Sequence, residues 1–297
     1  MSTTQTSSQV QVGSTGRILA AGLGFVEGPV ALDAEHIAVT SINRGRIYRV
    51  PLDGREPEML VETGGGPNGL AVGRGSELWI AQNGGTVMGS RSTIAASPSI
   101  QRWASGLETV QTANLFAPSD CVIGPDGLLW LTDPADHRLT GTAKPGCLRS
   151  YDPVRGELRI QRENLQFPNG LAFAEDPQEL YVAETTPGIV RRYRVDATGC
   201  RPDGWQYRLN HGKPDGLAVD AEGWLWIAGS IGDNLLAVDR AGQIRHQTHF
   251  GDGVLVTSVC FAGPDLRTLV VTIARGGTVV ALPAPNPGLP LPVWRSK

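Results

Sequence analysis

The 297-residue chain is most informative first in what it lacks. Its four cysteines, Cys121, Cys147, Cys200 and Cys260, include no C-x-x-C pair, which argues against a cysteine zinc site. Cys121 and Cys260 lie in apolar runs and read as buried thiols, so we expect a reducing, cytoplasmic setting. No run is long and apolar enough to span a membrane. Residues 1–15 are polar and lack the basic start and apolar core of a signal peptide; they read as a disordered tail ahead of a single domain over 16–297. A formal charge of −3 with no basic stripe argues against nucleic acid as partner. The five histidines (His36, His137, His211, His246, His249) accompany no Gly-x-Ser-x-Gly elbow, which disfavours a Ser-His-Asp triad. Helical periodicity is nearly absent, which excludes a helical solenoid.

Glycine (38) and proline (21) are abundant, as suits many tight turns. They punctuate a repeat. Lys213-Pro214-Asp215-Gly216-Leu217-Ala218-Val219 leads through Asp220-Ala221-Glu222-Gly223 to Trp224-Leu225-Trp226-Ile227-Ala228. Near-copies begin at Phe25-Val26-Glu27-Gly28-Pro29, Gly66-Pro67-Asn68-Gly69, Ala117-Pro118-Ser119-Asp120 and Phe167-Pro168-Asn169-Gly170, with a degenerate one at Val256-Thr257-Ser258. Glu27, Asn68, Ser119, Asn169, Asp215 and Thr257 share one slot, at successive spacings of 41, 51, 50, 46 and 42 residues by subtraction. Spacing of this order, with alternating strands in each unit, predicts an all-β fold: a six-bladed β-propeller of four-stranded antiparallel blades around a central channel. Residues 16–24 are expected to supply a strand that closes the ring with the last blade. Residues 282–293 are expected to form an irregular surface strap. Trp79, Trp130 and Trp226 recur at one blade position and read as inter-blade core, whereas Asp126, Glu175 and Glu222 read as solvated turn residues.

The innermost strand of each blade borders the channel, so equivalent positions form a ring. Here the ring holds two carboxylates, two amides and two hydroxyls. Oxygen groups crowded at a channel call for a cation to offset repulsion and desolvation. An all-oxygen set suits one hard divalent cation, Ca²⁺ first, then Mg²⁺ or Mn²⁺, with Zn²⁺ a further option through carboxylates. A lone Pro-Asn-Gly or Pro-Asp-Gly is an ordinary turn. The shared slot, and Glu27 in a Glu-Gly-Pro that is no favoured turn, point instead to function.

At these residues the chain resembles the gluconolactonase/senescence marker protein family of six-bladed propellers. The resemblance spans nearly all of residues 17–285. It rests on Glu27-Gly28-Pro29-Val30, Pro118-Ser119-Asp120, Asp126-Gly127-Leu128-Leu129-Trp130-Leu131-Thr132-Asp133, Pro168-Asn169-Gly170-Leu171-Ala172 and Pro214-Asp215-Gly216. It implies a divalent metal held by Glu27, Asn169 and Asp215, with Asp215 also the general base. Two positions depart from the family. Ser119-Asp120 stands where the family usually has Asn-Asp, and Ala117 stands where sugar-lactone members often carry an Arg. A less polar lactone or ester is therefore expected.

The expected function is divalent-metal-dependent opening of a lactone. Asn68, Ser119 and Asp120 would position the substrate, a small molecule; the protein is expected to be a monomer or homodimer. A non-hydrolytic enzyme (isomerase, lyase or condensing enzyme) using the same site on a carbonyl compound is the alternative, and a calcium-stabilised binding propeller is the third reading.

Overall fold

The computed structural model describes residues 9–197 and 199–291. The chain forms six four-stranded antiparallel sheets. Its only helical pieces among the described residues are the single 3₁₀ turns Ile42–Arg44 and Ser230–Gly232. Blades 1 to 5 are each four consecutive strands, with innermost strands Val26–Ala31, Pro67–Val72, Cys121–Ile123, Pro168–Phe173 and Pro214–Val219. Blade 6 takes Val256–Ala262, Thr268–Ile273 and Thr278–Pro283, and its outermost strand is Arg17–Ala20 from the start of the chain. The expected closure is thus formed, with Arg17 opposite Ala281 and Ile18 opposite Val280. This pairing ties the start of the chain to the last blade and so closes the ring, while each blade keeps its own short edge strands.

Each seam between neighbouring blades is a hydrophobic cluster of its own. Trp79 packs from blade 2 on Cys121, Ile123 and Leu131 of blade 3. Trp130 of blade 3 meets Leu171, Leu180 and Val182 of blade 4, and Trp226 of blade 5 meets Val259 and Phe261 of blade 6. The three tryptophans are inter-blade core, as expected. Asp126 is exposed, as expected, and also accepts the Trp130 indole N–H at 3.0 Å; in blade 2 Glu77 accepts that of Trp79 at 3.2 Å. Glu175 and Glu222 are exposed.

The two chain ends lie differently from expectation. Of the stretch read as a tail, residues 1–8 fall outside the described residues. Val10 and Val12 pack against the seam of blades 5 and 6, and Gln11 N–H donates to Phe250 O at 2.8 Å. Of the stretch read as a strap, residues 282 and 283 belong to the third strand of blade 6, and residues 292 and 293 fall outside the described residues. The rest does form a strap, but one that crosses the channel end: Leu289 N–H donates to Val219 O at 3.3 Å and Gly288 N–H to Leu266 O at 2.8 Å. All four cysteines are free thiols.

Candidate active site

The slot residues sit at the beginning of the innermost strands, or in blade 3 just ahead of it, and the backbone explains why they face the channel. In blades 1, 2, 4 and 5 the pairing with the second strand skips between Glu27 and Val30, Pro67 and Leu70, Pro168 and Leu171, and Pro214 and Leu217. Such a bulge leaves residues out of the ladder and re-aims their side chains. Glycine follows the slot in these four blades because the neighbouring blade leaves no room. A Cβ on Gly28 would lie 2.3 Å from Asn68 O, and one on Gly170 would lie 2.1 Å from Asp215 O. Gly28, Gly69, Asp120, Gly170, Gly216 and Ser258 thus form a second, tighter ring beneath the slot, in which Asp120 and Ser258 alone carry functional groups.

Five of the six slot side chains behave as a polar ring. Glu27, Asn68, Asn169 and Asp215 keep 8–9% of their surface open to the channel, while Ser119 at 2% is enclosed by its neighbours. A directional hydrogen-bond chain links three of them and runs on to the backbone before Asp215: Asn68 Nδ2 donates to Ser119 Oγ (3.2 Å), Ser119 Oγ to Asn169 Oδ1 (3.1 Å), Asn169 Nδ2 to Thr185 Oγ1 (3.2 Å), and Thr185 Oγ1 to Pro214 O (2.8 Å). Thr257, the sixth, is structural. Its hydroxyl donates to Val26 O at 2.9 Å and bonds Thr272 Oγ1 at 2.9 Å, and so holds the backbone beside Glu27.

Three carboxylates share the channel. Burial pushes Glu27 up to about 8, with Asp120 adding repulsion. Burial likewise raises Asp120 to about 7. Asp215 rises well above the usual carboxylate range through burial and then the charges of Glu27 and Asp120. What opposes these shifts among the described residues is the Gly28 and Cys121 backbone N–H groups and the Asn169 amide, with no Lys, Arg or His among them. Among the described residues no three His, Cys, Asp or Glu side chains cluster tightly enough to hold a metal by themselves. The set here is instead two carboxylates, Glu27 and Asp215, completed by the Asn169 amide oxygen. Uncompensated carboxylates with a neutral oxygen donor fit a hard cation.

The surroundings contain residues that sequence reasoning missed. Asp133, fully buried, accepts Phe116 N–H and Ala117 N–H, both at 2.9 Å, and Arg149 Nε at 2.7 Å. It pins the loop that carries Ser119. Burial raises Asp133, against the pull of Ala117 N–H and Arg149. Beside this loop is a cavity of about 400 Å³ whose lining includes Val87, Phe116, Ala117, Pro134 and His137. It lies at the slot end of the propeller, under the loops 83–98 and 134–144 that follow the second strands of blades 2 and 3. Ala117, the position without the expected Arg, is one of its walls. His137 stacks edge-on against Phe167, ring centroids 4.9 Å apart, and its buried Nε2 has no hydrogen-bond partner. Burial lowers its proton affinity. His211, by contrast, is an exposed loop residue. Loop residues of this kind give no periodic signal; only the three-dimensional neighbourhood singles them out.

A six-bladed propeller with carboxylates and amides on its axis defines the class of protein. Residues 25–275 match the SMP-30/gluconolactonase/LRE-like region, and the chain belongs to that family. It is 32% identical over 158 residues to the pentonolactonase XacC of Haloferax volcanii, covering 49% of this chain and 52% of that protein. It is 25% identical over 229 residues to the gluconolactonase of Zymomonas mobilis, covering 71% of this chain and 61% of that protein. The chain spans about half the length of several of the curated relatives it matches. The structure superposes on a calcium-binding protein, regucalcin, of Agrobacterium tumefaciens with a TM-score of 0.72 over 90% of this chain and 92% of that one, at 21% identity. That likeness shows the fold.

Proposed function

We propose that this protein is a divalent-cation-dependent lactone hydrolase. The observation that carries the reading is the trio of buried carboxylates, with no cationic side chain among the described residues to offset them, set on the channel axis of a chain whose relatives include proteins named as lactonases. Glu27, Asp215 and Asn169 Oδ1 would hold the cation, Ca²⁺ by preference. When bound, the cation supplies Lewis-acid polarisation of the lactone carbonyl and charge for the developing oxyanion.

The remaining work falls to the chain. Asp215 takes the proton of the attacking water from its place on the channel beside the Asn169 amide. Asn68 of the second blade and Asp120 of the third position the substrate, and Ser119, enclosed between Asn68 and Asn169, does so through those two amides. The Asn169 amide is oriented by its bond to Thr185, so Oδ1 stays turned towards Ser119 and the channel. The cavity walled by Phe116, Ala117 and His137 receives the ring substituent. Ala117 stands in place of the family's arginine, but Arg138, paired with Asp136 at 3.0 Å, lines the same cavity, and His137 Nε2 is placed to meet a hydroxyl or carbonyl of the substituent.

The test is hydrolysis of sugar and aliphatic lactones with Ca²⁺, Mn²⁺, Zn²⁺ or chelator. Turnover that depends on the cation and collapses in Asp215→Asn is expected. Unchanged turnover with chelator overturns the cation's role. Bound cation with no lactone opened would point to a non-hydrolytic reaction at the same site.

A further inference from the structure

The channel has a second chamber at the end remote from the slot. All innermost strands run from the slot towards this end, and their later residues surround a cavity of about 150 Å³. Val30, Leu171, Leu217 and Phe261 line it, and Leu289 and Leu291 of the strap close it. Its polar members, Asp120 and Ser258, lie only at the inner end, in the tight ring of glycines that separates it from the slot. The Cys260 thiol also faces it, and burial pushes that thiol up to about 12, as an apolar lining requires.

Protein interiors are close-packed, with few voids larger than a water molecule. A void leaves its lining atoms without dispersion partners, and that loss is recovered when a molecule of matching shape enters. An apolar cavity of about 150 Å³ is large enough for benzene or xenon. The strap that closes the chamber is tied down by Ala221 N–H to Pro287 O, Gly288 N–H to Leu266 O and Leu289 N–H to Val219 O, and by Asn286 Nδ2 to Asp220 Oδ2, so entry is by way of a displacement of the strap. Anions are disfavoured by Asp120 at the inner end, and cations find no second carboxylate in the lining.

We infer that this chamber is a second binding site, for a small uncharged apolar molecule of about the size of benzene or a short branched alkyl group. It uses none of the slot residues and shares only Asp120, at its inner end, with the residues proposed to position the lactone.

Full-length protein is tested with xenon and benzene as probes. Crystals pressurised with xenon are expected to hold it beneath Leu289, and near-saturating benzene to raise the melting temperature by about 2 °C. Cys260→Leu fills part of the space and should abolish the benzene shift. Absence of xenon beneath the strap together with no benzene shift in the wild-type protein overturns the inference. So does a benzene shift that persists undiminished in folded Cys260→Leu. If that variant fails to fold, the wild-type xenon result decides alone.

Discussion

The Ser119 hydroxyl donates to Asn169 Oδ1 across 3.1 Å and so ties the third blade to the amide proposed as a cation ligand. The same oxygen accepts from Asn68 Nδ2 at 3.2 Å, so one small side chain serves partners on both neighbouring blades. Ser119→Ala leaves a buried acceptor and a buried donor without their bond. Such losses cost about 1–3 kcal/mol. Urea unfolding should show a lower midpoint with unchanged slope, and calorimetry a weaker affinity for Ca²⁺. An affinity equal to wild type would remove Ser119 from the support of the cation site.

Asp215→Asn keeps the size and the bond to Asn169 but removes both a ligand charge and the proposed base. Lactone hydrolysis should fall by at least about 100-fold in kcat. Folding should survive, and in chelator the variant should melt higher than wild type, because one of three mutually repelling carboxylates is gone. A variant with near wild-type kcat would move the base elsewhere, Asp120 being the next candidate.

The carboxylate trio also fixes the sign of a pH effect. In the unfolded chain these groups titrate near pH ~4. In the folded chain Glu27 is held up at about 8 and Asp120 at about 7, with Asp215 raised as well. Between those limits the native state binds more protons, so stability falls as pH rises through the window. The contribution of Glu27 and Asp120 is complete below about pH 4 and is lost as pH rises through about 7 and then about 8, and Asp215 acts in the same direction. A divalent cation favours the ionised forms and should reverse the trend, with affinity rising with pH. Melting temperatures from pH 5 to 8, with chelator and with Ca²⁺, test this; parallel curves would contradict it.

Much of the fold was legible because a propeller repeats itself. Pro168-Asn169-Gly170 and Pro214-Asp215-Gly216 announce their shared place, and the reason proved steric: a Cβ after Asn169 or Asp215 collides with the next blade. The polar ring was legible for the same cause, except Thr257, whose hydroxyl turns into a seam that no spacing rule foresees. The supporting groups were not legible. Thr185, Asp133, Arg149 and His137 lie outside the repeat's shared slot. Their partners are set by loops whose lengths differ between blades, such as residues 83–98 and 134–144. The strap was recognised by its prolines, yet its place across the channel follows from three backbone hydrogen bonds to residues far back in the chain.

Arg149 and Asp133 supply the last prediction. Their ion pair is nearly water-free, with side-chain exposures of 4% and 0%, and Asp133 holds the Phe116 and Ala117 backbone at the wall of the proposed substrate cavity. The guanidinium also lies 5.5 Å from the Phe116 ring centroid. Arg149→Met leaves a buried carboxylate without its cation, a change that costs about 3–5 kcal/mol. Arg149→Lys restores the charge but not the planar Nε donor or the stacking on Phe116, so it should recover only part of the loss. Guanidinium unfolding gives the stability, and lactone kinetics give the second readout. A loosened Phe116–Ala117 loop should raise KM more than it lowers kcat, because Glu27, Asn169 and Asp215 are anchored elsewhere. A variant destabilised as stated but with unaltered KM would confine the pair to a structural role.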